Sequence, residues 1–228
     1  KDDMRTTFFN QTSLKLLSNL GVLKKINKKD CTLVKKIKVF GNNHDSPLVW
    51  DYTDPKINFG AVIKNNVILN ALEEKLKDIK IFDSLVSNTK CNRFERTLYL
   101  ENKISVKTHL VISADGKNSN LRKLLSINTI NKDIKHTAIS GFFRQSKNHN
   151  STAIQAFTDL GPIGILPYGD KNIVNFVQSI KEDKCKEILS RKNPEKFLCS
   201  ELNNFFSGYG LFFNSIEKIN KSESRLSS

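Results

Sequence analysis

The segment Leu110-Val111-Ile112-Ser113-Ala114-Asp115-Gly116-Lys117-Asn118-Ser119-Asn120-Leu121-Arg122 puts an acid, a glycine, a hydroxyl and a guanidinium close together. The nearly continuous apolar run from His109 to Ala114 predicts a strand buried on both faces of an α/β sheet. Asp115 then stands at the C-terminal edge of that strand, where such sheets bind ligands. Gly116 lets the backbone pass close to a ligand. A helix predicted over Asn118–Leu125 offers free N–H groups suited to phosphate. Ser119 can donate from its hydroxyl, and Arg122 supplies a fixed charge. The same residues also make a tight turn with Asn118 or Ser119 as a helix cap, and the residues alone leave both readings open.

Three other segments carry weaker signals. Arg5 precedes the first helix in Asp3-Met4-Arg5-Thr6-Thr7, where an exposed N-terminal Arg is the plainer reading. Gly60-Ala61-Val62-Ile63-Lys64-Asn65-Asn66 reads as a strand running into a helix with Asn at the cap. Phe157 to Tyr168 reads as two strands around a Gly161-Pro162 turn, with Pro167 unusual at the end of an apolar strand. No Ser/His/Asp or Cys/His arrangement, paired-carboxylate spacing or P-loop stands out. Cys31, Cys91, Cys185 and Cys199 form no CxxC, and the four His residues are isolated, so neither a metal site nor a catalytic side chain is expected. If the chain belongs to an enzyme, a cofactor does the chemistry.

The elements that must position these residues alternate in type. Thr12–Leu20 and Asn66–Lys77 show helical spacing, with Gly21 ending the first. Val34–Phe40 and Leu48–Tyr52 read as a hairpin-like pair around Asn42-Asn43, and Ile79–Phe82 as a short strand. Leu85–Thr89, Arg93–Leu100 and Lys103–Lys107 alternate like an exposed meander. Four strands are expected at Thr137–Arg144, Thr152–Phe157, Ile163–Tyr168 and Ile173–Ile180. Helices follow at Glu182–Leu189 and Pro194–Phe206, with Pro194 in the first turn. The closing segment Lys218–Ser228 is polar and has no expected partner. This order implies a mixed α/β chain with two interleaved units.

Composition narrows the function classes. The 228 residues carry 37 Lys and Arg against 23 Asp and Glu, a formal charge of +14. Such a balance suggests nucleic acid or an anionic surface. Only seven of the basic residues are Arg, however, and the Lys residues are scattered among abundant Asn, Ile and Phe. Phosphate recognition favours the planar Arg fork, so no nucleic-acid partner is expected. No apolar run is long enough to span a membrane, no secretory leader is seen, and reduced thiols are the default.

Taken together, the four segments resemble the class A FAD-dependent aromatic monooxygenases, with the ubiquinone-biosynthesis hydroxylase family as the nearest match. Ala114, Asp115, Gly116, Asn118, Ser119 and Arg122 match that class's A-D-G-x-N-S-x-x-R motif. Arg5 matches its flavin-contacting Arg. Val62-Ile63-Lys64-Asn65-Asn66 through Leu72 resembles V-x-E-N-x-x-L-x-x-A-L, placing Asn65 at a flavin-contacting amide, with Lys64 in place of the common Glu. Phe157 to Pro167 resembles F-T-x-x-G-P-x-A-L-L-P of the substrate domain and points to the ubiquinone branch.

The resemblance implies a partial Rossmann-like, three-layer FAD/NAD(P)-binding domain (1–33 and 57–128). A mostly antiparallel substrate-binding sheet domain (34–56 and 129–220) is interleaved with it, and 221–228 returns to the first. It implies FAD held by Arg5, Asn65, Asp115, Gly116, Ser119 and Arg122, with NAD(P)H and O2 as co-substrates. The implied substrate is a polyprenylated phenol or quinone precursor, hydroxylated on its ring. Further implications are a ubiquinone-biosynthesis complex and peripheral membrane contact, in a bacterial cytoplasm at the inner membrane or in a mitochondrial matrix. The family's N-terminal G-x-G-x-x-G and later G-D motif are not found, so an internal fragment, inactive alone, is expected. The alternatives are another FAD oxidoreductase of this fold, such as an aromatic hydroxylase or a geranylgeranyl-reductase-like enzyme, and more distantly a basic RNA- or lipid-binding module.

Overall fold

The computed structural model describes residues 5–41, 46–52, 54, 56–116, 118–130 and 135–222, with side chains described as far as residue 216. The chain forms two compact units, Lys1–Lys77 with Lys135–Arg225, and Asp78–Ile134 with Leu226–Ser228.

The first unit opens with β1 (Thr6–Asn10), a strand not anticipated in the sequence, and α1 (Gln11–Asn19). The amide of Asn10, rather than Thr12 or Ser13, caps α1 by accepting from the Ser13 N–H at 2.9 Å. Gly21, at φ +70°, terminates it as expected. The stretch expected as one strand over Val34–Phe40 is broken at Lys35. Its start belongs to β2 (Cys31–Val34) and its end to β3 (Lys36–Phe40), which lie in different sheets. The Lys35 and Lys36 N–H groups both reach the Ser151 carbonyl, which diverts the chain from one sheet to the other. β4 (Leu48–Asp51) pairs antiparallel with β3, as the hairpin reading expected, and the Asn42-Asn43 turn lies outside the described residues. β5 (Gly60–Lys64) runs directly into α2 (Asn65–Glu73). β1, β5 and β2 form a three-stranded antiparallel sheet with β5 in the centre.

Within the second unit, β6 (Val86–Cys91), β7 (Arg96–Leu100) and β8 (Ser105–Thr108) form the expected antiparallel meander. The short helix α3 (Asn120–Leu124) follows. Two expected strands are absent. His109–Ala114 and Ile79–Phe82 make no ladder, and Leu110, Ile112, Ile79 and Ile81 are 73%, 79%, 59% and 71% exposed. A both-faces-buried strand needs neighbours on each side, and among the described residues these two apolar runs find none.

The rest of the first unit holds β9 (His136–Gln145), β10 (Thr152–Thr158), β11 (Gly161–Pro167), β12 (Ile173–Lys181), α4 (Glu182–Leu189), α5 (Pro194–Phe206) and β13 (Phe213–Ser222). The seven-stranded sheet runs β13-β9-β12-β11-β10-β3-β4. It is antiparallel throughout except for β10 against β3. The four central strands and both helices fall where the sequence predicts them. The closing segment does have a partner, because Lys218 to Ser222 pair with Phe142 to Ala138 of β9. Gly161 and Pro162 are the first residues of β11 rather than a turn.

Alternation along the strands sorts the large sheet into two faces. One face carries Phe40, Phe143, Phe176 and Ile165 against Leu198 and Phe206 of α5. A fully buried Phe on such a face contributes about 1.5–3 kcal/mol. On the other face, Ile37, Ala153 and Leu166 pack with Val34, Val62 and Phe8 of the small sheet. The small sheet's remaining face buries Ile63 against Leu17 of α1 and Ile68 of α2. Helices, small sheet, large sheet and helices thus stack in order within the first unit, and the mixed α/β class expected from the sequence is what the chain adopts.

Candidate functional site

The antiparallel register of β1 and β5 (Thr6 opposite Lys64) brings the first cluster together. The Asn65 N–H donates to the Arg5 carbonyl at 3.0 Å, so two candidate residues far apart in sequence become neighbours. Asn65 is the first helical residue of α2, with Lys64 at the cap position expected for Asn. Thr7, which the sequence reading missed, donates its hydroxyl to Asn65 Oδ1 at 2.7 Å. That leaves the half-buried Asn65 Nδ2 as a donor without a partner among the described residues, beside the exposed Arg5. The β-branched and aromatic run Thr6-Thr7-Phe8-Phe9 was the signal that could have revealed β1.

Lys64, which departs from the family's Glu, takes a different role. Its Nζ lies 5.2 Å from the Tyr168 ring centroid and 5.8 Å from that of Phe142. Its cation therefore rests on aromatic faces of the large sheet, a contact of about 0.5–1 kcal/mol. Thr6 reaches the same sheet, donating to Asn175 Oδ1 at 2.9 Å, while Asn175 Nδ2 donates to the Gly141 carbonyl. These bonds fix β1 and β5 on the open face of the large sheet.

Asp115 organises the second cluster, although it follows an irregular segment and not a strand. Its carboxylate accepts from Ser113 Oγ at 2.6 Å and from the Asn120 and Leu121 N–H groups at 2.8 and 3.3 Å. Ser119, only 4% exposed, is the N-cap of α3 and accepts from the Arg122 N–H at 3.0 Å. The cap reading of Ser119 is therefore realised. Gly116 adopts φ +74°, and a Cβ there would meet nothing within 4 Å, so the turn is open to an approaching group. Arg122 is held within the same short helix. Ser113 and Asn120 are members that the sequence reading missed. Ser113, two residues before Asp115, was legible as a local side-chain bond. Asn120 donates from its side chain to the Val86 carbonyl at 2.5 Å, and no spacing rule foretells that contact.

The hydroxyls of Ser113 and then Ser119 hold the Asp115 carboxyl well below the usual carboxylate range, against the opposing effect of burial and with help from the Leu121 N–H. A carboxyl whose pKa is depressed by folding stabilises the fold above its ordinary pKa, and that contribution is lost as the pH falls through the folded value. The Asn120 and Leu121 amides should therefore stay protected from hydrogen exchange between about pH 4 and pH 2. In Asp115→Ala they should exchange at least tenfold faster at every pH. Unchanged protection in the variant would show that the carboxylate does not anchor α3.

No family model matches the chain. Solved structures with this fold include CmlS, a flavin-dependent halogenase, which superposes with a TM-score of 0.69 over 94% of this chain and 42% of its own at 13% identity. They also include pqsL of Pseudomonas aeruginosa, a "probable FAD-dependent monooxygenase", with a TM-score of 0.72 over 97% of this chain and 64% of its own at 10% identity. The chain therefore has the fold of the FAD-dependent monooxygenases and halogenases. In sequence it is homologous to the ubiquinone-biosynthesis monooxygenases. COQ6 of Caenorhabditis elegans is 29% identical over 170 residues, which cover 70% of this chain and 37% of that protein. Human COQ6 is 24% identical over 217 residues, covering 89% and 46%. An uncharacterised Synechocystis protein, slr1300, is 31% identical over 166 residues, covering 69% and 40%. The chain thus spans less than half the length of these curated relatives.

Proposed function

We propose that this chain is the flavin-contacting and substrate-covering part of an FAD-dependent monooxygenase. The observation that carries the reading is the β1–β5 register, which joins Arg5 to Asn65 through their backbones and leaves the Asn65 Nδ2 donor without a partner among the described residues. An oxygen-rich dinucleotide fits that pair. In the second unit, Asp115, Gly116, Ser119 and Arg122 form an open turn before a capped helix, and the resemblance assigns them to FAD as well. FAD bound by these residues would supply two-electron chemistry with NAD(P)H and O2. The protein's own part is to bind, orient and exclude water. Arg5 supplies charge, Asn65 donates a hydrogen bond that Thr7 aims, and the Asp115 carboxylate keeps the Gly116 turn in shape.

The large sheet's open face supports an aromatic substrate. Phe157, Pro162, Gly164 and Val177 line the part the small sheet leaves uncovered, with Gln155 among them, and none is charged. Phe157 and Val177 are 50% and 42% exposed there. Following the COQ6 relatives, we read the substrate as a polyprenylated phenol hydroxylated in ubiquinone biosynthesis, with a matrix location if the source is eukaryotic. No helix among the described residues is long and apolar enough to cross a membrane.

Expression from the complete gene provides the test. The purified protein should be yellow and release FAD on denaturation. Arg5→Ala and Asn65→Ala should each weaken FAD binding about tenfold, a loss of one charge-assisted or amide contact. Thr7→Val should weaken it less, because it removes only the group that orients Asn65. A colourless protein that takes up no added FAD would overturn the reading.

A further inference from the structure

On the helix-covered face of the large sheet, a cavity of about 250 Å³ opens beyond the end of α5. Ile154, Ile165, Val174 and Leu211 supply its apolar surfaces. Its other lining groups are polar and of one sign. Lys38 and Lys147 both face it, neither forms an ion pair among the described residues, and no carboxylate lines it. Gln145 lines it too. As a residue it is 5% exposed, and its side-chain amide faces the cavity. The buried side-chain atom in this wall without a partner among the described residues is His149 Nε2, while His149 Nδ1 accepts from the Ser151 N–H at 3.0 Å. Buried polar atoms are satisfied almost without exception, and leaving one such as His149 Nε2 unpaired costs about 1–3 kcal/mol. A buried, unpartnered imidazole nitrogen beside a side-chain amide and two ammonium groups is the pattern of a binding site.

The walls are fixed by backbone bonds. The Gln145 N–H donates to the Asn172 carbonyl, the Ser146 N–H to the Phe212 carbonyl, and the His149 N–H to the Lys171 carbonyl. Gly210 turns at φ +65°, and a Cβ there would sit 3.6 Å from Lys147 Nζ, so the ammonium lies over this turn. Lys38 and Ile154 point to the same side as Phe40, away from the face on which β1 and β5 rest.

We propose that this cavity binds a small aryl carboxylate. The carboxylate lies between Lys38 and Lys147 and accepts from the Gln145 amide, while the ring covers the apolar side chains. Inorganic phosphate would leave that apolar surface bare, and an uncharged ring would leave two lysines unpaired. The proposal does not depend on the flavin reading, since none of the FAD residues lines this cavity.

The test is titration of benzoate into the full chain without flavin, at constant ionic strength, followed by calorimetry and by amide NMR shifts. Saturable binding at one site with Kd below about 1 mM is expected, with shifts at Gln145, Lys147 and Gly210. Benzamide, the same shape without the charge, should bind at least tenfold more weakly, as should benzoate to the Lys38→Ala/Lys147→Ala variant. Gln145→Leu should weaken benzoate similarly, and its unfolding midpoint shows whether the fold is kept. The lysine variant decides the matter if that substitution unfolds the sheet. No saturation by about 10 mM, benzamide binding as tightly as benzoate, or undiminished affinity in the lysine variant would overturn the proposal. Phosphate displacing benzoate at equal concentration would also overturn it.

Discussion

Gly161→Ala should cost at least about 3 kcal/mol of stability, enough to abolish folding in a marginal domain. The residue opens β11 at φ +120°, and a Cβ there would lie 2.1 Å from the Ser179 carbonyl oxygen of the neighbouring strand. Neither partner can yield, since both are backbone in the middle of a sheet. The corner is further tied by Thr158, whose hydroxyl donates to the Gly161 carbonyl at 2.8 Å and accepts from Gln178 Nε2 at 3.1 Å. Gly164, three residues on, is the control. Its Cβ would meet only the Gln155 side chain at 3.8 Å and the Val177 carbonyl at 4.0 Å. Gly164→Ala should be neutral or stabilising by up to about 1 kcal/mol. Urea denaturation of the two variants measures the contrast, and equal midpoints would refute the account of the β11 entrance.

The second large effect is expected at Phe206. It is fully buried at the end of α5 and packs edge-on against Phe40 at 5.3 Å, with Phe213 at 5.8 Å. These rings pin α5 to two strands, β3 and β13, at once. Phe206→Ala should destabilise the chain by about 3–5 kcal/mol, combining lost transfer energy with an unfilled cavity. Phe157→Ala should change stability by no more than about 0.5 kcal/mol, because its ring is half in solvent. It should instead raise KM for the aromatic substrate proposed to lie on the open face. Thermal unfolding of both variants separates the two roles.

The contrast between these phenylalanines also shows what was legible in the sequence. Apolar runs between turn residues such as Asn148-His149-Asn150 and Gly169-Asp170 marked β9, β10, β11 and β12, and Pro194 marked the start of α5, because those signals are local. The motif around Asp115 also identified its own cap, since Ser119 bonds within a single turn of helix. The errors arose where partners decide the outcome. Leu110 and Ile112 have the composition of a buried strand, yet a strand exists only when another backbone pairs with it. β13 looked too polar to pair, but the edge of β9 offers unmet backbone groups, and a polar strand satisfies these as well as an apolar one. β2 and β3 read as one strand because alternation continues through Lys35, while the bond to the Ser151 carbonyl that separates them comes from far along the chain. For the site, Arg5 and Asn65 were each visible, but their adjacency depends on β1, which was not.

The single parallel pairing in the large sheet has a kinetic consequence. β3 and β10 join Lys36 to Thr152 and Phe40 to Ala156, closing a loop that contains the whole 78–134 segment. Loop closure of that span is entropically slow compared with a hairpin. The β9–β12–β11–β10 block and the β3–β4 hairpin can each form from near neighbours, but their union must wait for a distant encounter. Refolding should therefore show the Trp50 environment maturing after the helix signal, and the 78–134 insert sets the length of that delay.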